Sequence, residues 1–185
     1  KALLGVRAVL TAADLPASHE HGLFTKDWPI LVGVGERIRY MGDALALVAA
    51  ETQAIADQAV KLITFEVDPQ PVLSNPQAAL QPDAPQLHPK GNLLKHIKVR
   101  KGDVSQGFAK ADVILERTFR TPFTDHLFME PECSIAVPLL DGRMEVYVGS
   151  QIPYADREQV AAALGIPEEK VRIRGQITGG GFGGK

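Results

Sequence analysis

Residues 179–185 read GGGFGGK, with five glycines in seven positions around a single Phe182. Glycine has no Cβ and tolerates positive φ, so a run of this kind lets backbone N–H groups come close to a bulky ligand. Successive N–H groups turned to one side favour an anionic or sulfur-bearing one. The plain alternative is a flexible tail, and the central Phe182 favours a shaped loop. The residues also fit the pattern G-x-x-x-x-G-K of a phosphate-binding loop. The Ser or Thr that would hold Mg²⁺ in that loop is not among them. Such a loop also belongs on the first strand of its domain, whereas this one follows the last strand predicted here.

Gln151 is the second candidate. It falls between a strand expected to end near Val148 and a helix with Pro153 in its first turn. Its amide can donate one hydrogen bond and accept another. A helix N-terminus beside it adds positive potential for an anion. The plainer reading is an N-terminal cap or a solvated glutamine. The segment TDHLFMEPEC gathers Asp125, His126, Glu130 and Glu132, residue types that ligate metals or act as acid and base. Their spacing matches no standard ligand set, although on a strand His126 and Glu130 would share a face. We read them as hydrogen-bonded structural groups around a cofactor pocket, and assign no metal ligand. His19, His21, His88 and His96 fall in loops or linker edges and carry no signal. Ser105, Ser134 and Ser150 have no assignable triad partners.

These residues need elements to place them. Gly5–Leu10 reads as a strand, followed by a polar turn to Pro16 and a loop over 17–35. Arg37–Tyr40 and Ala44–Ala49 read as a hairpin across Gly42 and Asp43. Thr52 caps a predicted helix over 52–63 whose stripe of Ile55, Ala59, Leu62 and Ile63 should face a small sheet. Phe65–Val67 is expected as a strand. Residues 69–92 hold six of the thirteen prolines, which marks a linker. Beyond it, Leu94–Arg100 and Val113–Arg120 read as strands around a short helix at Val104–Ala109. Cys133–Leu139 and Met144–Val148 should form a hairpin about Asp141 and Gly142. A helix over Pro153–Leu164 should end at Gly165, with Pro167 blocking its continuation. Val171–Ile177 is the last predicted strand. The expected class is α+β, with units at 1–75 and 93–185 and a Pro-rich linker at 76–92.

The chain has 185 residues, 45% hydrophobic and 23% charged, which excludes wholesale disorder. A net charge of -2 gives no reason to expect nucleic acid or an anionic membrane as a partner. No apolar run approaches the ~20 residues of a membrane-spanning helix. Cys133 is the one cysteine, so neither an intrachain disulfide nor a Cys-rich iron–sulfur site can form from this chain. It is expected as a small buried hydrophobe. The opening KALLGVRAVL has no initiating Met and no signal-peptide pattern. With the abrupt GGFGGK, this suggests a piece of a longer protein.

As a set, these segments resemble a known family. RYMGDALALVAAET, the helix after it and ITFEVDPQPVL resemble the hammerhead-like α/β domain of the xanthine dehydrogenase/aldehyde oxidase family of molybdenum hydroxylases. GDVSQGFAKADVILERTFRTPFTDHLFMEPECSIAVP resembles the start of their molybdenum-cofactor-binding domain. VYVGSQIPYADREQVAAALGIPEEKVRIRGQITGGGFGGK resembles the part of that domain carrying its glutamine and glycine loop. The likeness covers nearly the whole chain in order and displaces the phosphate-loop reading.

The resemblance implies a molybdenum–molybdopterin cofactor and hydroxylation of an N-heterocycle or aldehyde with oxygen from water. It implies electron exit through 2Fe-2S clusters, and in some members FAD, on other domains or subunits. By position, Gln151 matches the glutamine that hydrogen-bonds an oxo ligand of molybdenum. Phe182 and Gly183 match loop residues whose backbone contacts the cofactor, and Gly180 and Gly181 would shape that loop. The family's catalytic glutamate has no counterpart here, so the chain alone is expected to be inactive. A cytoplasmic, oligomeric enzyme acting on a small molecule is the implied setting. The rival readings are a nucleotide-binding module using the glycine loop, and a non-catalytic interaction domain docking through 1–75.

Overall fold

The computed structural model describes residues 3–183. In chain order the strands are β1 (Val6–Leu10), β2 (Glu20–His21), β3 (Trp28–Pro29), β4 (Leu47–Ala50), β5 (Ser134–Pro138), β6 (Met144–Val148) and β7 (Val171–Gly175). The helices are α1 (Gln53–Lys61), α2 (Pro76–Ala79), α3 (Val104–Ala109) and α4 (Pro153–Leu164). Contacts divide the chain into two units, Lys1–Phe65 with Asp125–Lys185, and Glu66–Thr124.

In the first unit β1 pairs antiparallel with β4, from Val6 opposite Ala50 to Leu10 opposite Leu47. Helix α1 packs on this pair. The Thr52 hydroxyl accepts from the Ile55 N–H, as the sequence predicts for a cap, and satisfies one of the amides that a helix start leaves without a partner. Ala59 is buried against the strands, and Ile55 and Ile63 are half-buried. Leu62 is 63% exposed, against expectation. The helix stops at Lys61, so Leu62 sits at its end and not on its packed face.

The hairpin expected over residues 37–49 does not form. Arg37–Tyr40 is not a strand, and β4 takes β1 as its partner. Asp43 explains this: one carboxylate oxygen accepts from the Arg39 N–H at 2.6 Å, and the other from the Trp28 indole at 3.1 Å. A side chain thus takes the amides that a ladder would use. The expected loop over 17–35 contains the short β2/β3 pairing. Leu31, 2% exposed, and Val32 are buried here, and burying a side chain of that size is worth about 1.5–3 kcal/mol.

The same unit holds a three-stranded sheet ordered β5-β6-β7. Strands β5 and β6 form the predicted antiparallel hairpin, from Ser134 opposite Val148 to Pro138 opposite Met144. Strand β7 lies parallel to β6, which requires the crossover that α4 supplies. Ala161 of α4 and Val146 and Val171 of the sheet are buried. Gly165 ends α4 at φ 65°, the left-handed geometry expected of a C-terminal glycine. Residues 18–26 dock on α4. The Ser18 N–H donates to the Ala162 carbonyl, the Gly22 N–H to Gln159 Oε1, and Lys26 Nζ lies 2.7 Å from Glu158 Oε1.

In the second unit, Asn75 caps α2 and Asp103 caps α3 through side-chain oxygens. The Asn92 amide donates to the carbonyls of Ala79 and Pro85, closing a loop within the Pro-rich stretch. Leu94–Arg100 and Val113–Arg120 form no strands, nor does Phe65–Val67. Apolar alternation shows that a face has something to bury, but a strand exists only where a neighbour completes the ladder. Phe119 is 86% exposed, and Cys133 is exposed instead of buried.

Candidate cofactor-binding site

The parallel register of β6 and β7 sets the site. Val148 pairs with Gly175, and the Gln176 N–H donates to the Val148 carbonyl at 2.9 Å. Both strands therefore discharge their chains at the same end of the sheet. In open sheets with parallel neighbours, ligands gather outside the carboxyl ends of the strands. From β6 the chain runs through Gly149 and Ser150 to exposed Gln151, then into α4. Ser150 Oγ accepts from the Ile152 N–H at 3.0 Å and so helps to make this local turn. From β7 the chain runs into the glycine loop.

That loop is a shaped turn. Gly180 has φ 105°, Phe182 φ 50° and Gly183 φ 95°. A positive φ at a bulky residue such as Phe182 is rare and costs backbone energy, a feature that clusters at ligand-binding sites. Phe182 projects outward at 75% exposure, whereas Gly181 is buried. A Cβ on Gly180 would meet the exposed Phe182 ring at 2.8 Å, which could swing aside, but the φ of 105° would strain any side chain there.

The acidic segment reaches the loop by a route that sequence patterning does not reveal. Leu127 has φ 52°, and 126–130 is not a strand, so the argument that His126 and Glu130 share a strand face does not apply. The segment lies along the glycine loop. The Met129 N–H donates to the Gly179 carbonyl at 3.1 Å, and the Gly179 N–H donates to Glu130 Oε2 at 2.9 Å. A Cβ on Gly183 would lie 3.6 Å from His126 Nε2. Glu130 is thus hydrogen-bonded and structural, as expected of the acidic cluster, while Asp125 Oδ1 accepts the amide of its neighbour His126. Gly149, not singled out by sequence reasoning, and Gly179, which opens the glycine loop, provide room for Glu130. A Cβ at either would come within 2.7 Å of it.

Behind the site, Arg174 of β7 reaches Glu145 of β6 at 2.8 Å. The Arg174 guanidinium, followed by the Tyr147 hydroxyl, holds the Glu145 carboxyl below its ordinary range. The groove of about 240 Å³ between α4 and β7 is lined by Pro153, Tyr154, Arg157, Val171, Arg172 and Ile173. It is lined by neither Gln151 nor the glycine loop, so this groove is not the candidate site. No cluster of three or more His, Cys, Asp or Glu placed to hold a metal occurs among the described residues. Nor is any described helix long and apolar enough to cross a membrane. Gly184 and Lys185, which the phosphate-loop pattern requires, lie outside the described residues.

Comparison with known proteins places this arrangement. Residues 87–185 match the molybdopterin cofactor-binding domain, and residues 1–71 match the aldehyde oxidase and xanthine dehydrogenase a/b hammerhead domain. The chain belongs to the xanthine dehydrogenase/aldehyde oxidase family of molybdenum hydroxylases, and its fold is the α+β one expected. It is 44% identical over 98% of its length to a probable xanthine dehydrogenase subunit of Bacillus subtilis (strain 168), of which it spans 24%. It is 37% identical over its whole length to the nicotinate dehydrogenase large molybdopterin subunit of Eubacterium barkeri, of which it spans 43%. The structure is similar to the aldehyde oxidoreductase of Desulfovibrio desulfuricans ATCC 27774, with a TM-score of 0.84 and 26% identity over 97% of this chain and 21% of that one. The cofactor-binding match takes in the glycine loop and leaves the nucleotide reading without support.

Proposed function

We propose that this chain is the hammerhead domain and the leading part of the cofactor domain of a molybdopterin-dependent hydroxylase. The whole protein would act on an N-heterocycle of the xanthine or hypoxanthine type, or on an aldehyde, with oxygen drawn from water. The observation that carries this reading is the placement of Gln151 and the glycine loop at the same end of the β6/β7 pair, in a family of molybdenum enzymes. We place the domains at 1–75 and 93–185 with a linker at 76–92; family matches over residues 1–71 and 87–185 support a division into two domains, without fixing these limits.

The residues present fit such a group. Gly180 and Gly183 take positive-φ conformations that suit glycine and leave bare backbone on either side of Phe182, and a Cβ at Gly180 would crowd the Phe182 ring. The backbone N–H groups of Phe182 and Gly183 would hold the cofactor's periphery, with Gly180 and Gly181 shaping the approach. Gln151, beside the start of α4, would donate a hydrogen bond toward the metal end and orient it. When bound, the molybdenum–pterin group supplies the two-electron oxidation that accompanies entry of a water oxygen at the substrate carbon. We assign no base among the described residues, so the proton would leave through a group elsewhere in the enzyme, and the chain by itself is inactive. Iron–sulfur and flavin domains or subunits would then carry the electrons away in a cytoplasmic, oligomeric assembly.

The test is to purify the full-length protein from its native host and measure molybdenum, pterin and iron. Hydroxylation is then assayed on a panel of heterocycles and aldehydes in ¹⁸O-labelled water. Near-stoichiometric molybdenum with label in the product is expected. A protein that is fully folded yet free of both metal and pterin would refute the reading.

A further inference from the structure

We infer that Glu130 is a positioning residue that ties the glycine loop to the segment bearing Gln151; its role toward the cofactor rests on the function proposed above. Gly179 is fixed on both of its peptide faces by one dipeptide. Its carbonyl accepts from the Met129 N–H at 3.1 Å, and its N–H donates to Glu130 Oε2 at 2.9 Å. The other carboxylate oxygen lies against the exit from β6, where a Cβ on Gly149 would stand 2.7 Å from Glu130 Oε1. Gly149 is two residues before Gln151, and Gly179 begins the loop that contains Phe182 and Gly183. A half-buried carboxylate thus wedges between the two chain segments that follow the last ladder pair, Val148 and Gly175.

The chemistry explains the choice of residue. A carboxylate accepting a backbone N–H makes a charge-assisted bond, stronger than a neutral one. Its two oxygens let one side chain face both segments. Glycine at both 149 and 179 follows from it, since any side chain at either position would displace the carboxylate or its backbone. Phe182, held at φ 50°, needs its neighbours fixed if it is to keep that conformation, and the loop has few side chains with which to do so. Glu130 supplies the anchor.

The experiment uses the full-length enzyme with Glu130→Ala, Glu130→Gln and Glu130→Asp. Hydrogen exchange over 176–183 is read with cofactor bound and in protein made in a host unable to synthesise it. Loss of a hydrogen bond to a charged group should speed exchange at the Gly179 amide about ten- to a hundredfold in Glu130→Ala. Glu130→Gln, which keeps the size and one accepting oxygen, should give a smaller rise and guards against a variant that merely misfolds. In the same series molybdenum and pterin content should fall, and the Mo(V) resonance of the remaining loaded enzyme should shift, with Gln restoring part of each. Wild-type protection of the Gly179 amide in Glu130→Ala would overturn the positioning role. Identical protection of 176–183 in loaded and cofactor-free wild-type protein would instead overturn the cradle reading, whatever Glu130 does.

Discussion

Val148 and Gly175 stand opposite each other in the last register position of the parallel β6/β7 ladder, so the chain leaves both strands at one end of the sheet. Gln151 follows shortly after the first of these residues, and the glycine loop shortly after the second. If Gln151 orients the cofactor's metal end, its loss should affect chemistry and not folding. We expect Gln151→Ala to slow metal reduction by substrate about 10²–10³-fold in single turnover, the usual cost of removing one donor aimed at developing charge. Gln151→Glu should be slower still, because an ionised carboxylate can no longer donate. A wild-type rate for Gln151→Ala at full molybdenum occupancy would return Gln151 to a solvated loop residue.

Glycines along the same path should differ sharply in their tolerance of a methyl group. At Gly179 the new Cβ would lie 2.8 Å from the Glu130 backbone nitrogen, and at Gly180 it would add a left-handed strain at φ 105°. At Gly175 nothing lies within 4 Å and φ is not positive. Gly179→Ala and Gly180→Ala should each cost about 1–3 kcal/mol of local stability and reduce cofactor content. Gly175→Ala should do neither. Metal analysis together with hydrogen exchange over 176–183 separates the three, and equal behaviour would discredit the cradle geometry.

The contact between residues 18–26 and α4 should depend on pH. Lys26 hydrogen-bonds Glu158 and holds its carboxyl below the ordinary 4.5. A depressed folded-state value means that the stabilisation is fully present above about pH 4.5. It declines as pH falls through the lower folded-state value. The Gly22 amide, which donates to Gln159 Oε1 one residue along α4, reports this contact. Its protection, corrected for intrinsic exchange, should hold from neutral pH to about 4.5 and weaken below it. In Glu158→Gln the acid step should vanish. Persistence of the step in that variant would assign it to another group.

Thr52 should matter only to the start of α1. Its Oγ1 accepts from the Ile55 N–H at 3.3 Å. Thr52→Ala should weaken α1 by about 0.5–2 kcal/mol, seen as faster exchange of the first-turn amides, and Thr52→Ser should restore most of it. The rate of metal reduction should not change in either variant. A changed rate would mean that α1 influences the site in a way the contacts do not explain.

Local chemistry makes several elements legible in the residues themselves. The Thr52 cap, Gly165 with Pro167 after it, and the β5/β6 turn at Asp141 and Gly142 each rest on interactions within a few residues. Their outcomes hardly depend on distant parts of the chain. The same holds for the short helix at Val104–Ala109, capped by Asp103. The glycine loop stands out by composition, whereas Gln151, which suits a cap or a solvated position equally well, stands out only through the family resemblance.

What the sequence alone does not decide is pairing. The alternation in Leu94–Arg100 and Val113–Arg120 specifies a face but no neighbour, and no ladder forms there among the described residues. Residues 37–49 carry the pattern of a hairpin, yet Asp43 captures the Arg39 amide and β4 pairs with β1 instead. Only the tertiary structure brings Glu130 to Gly149 and Gly179, across 49 residues in the latter case. That contact depends on β6 and β7 lying parallel and on the turn at Leu127. No local propensity encodes either, since both arise only when distant segments compete for the same backbone hydrogen bonds and the same small volume.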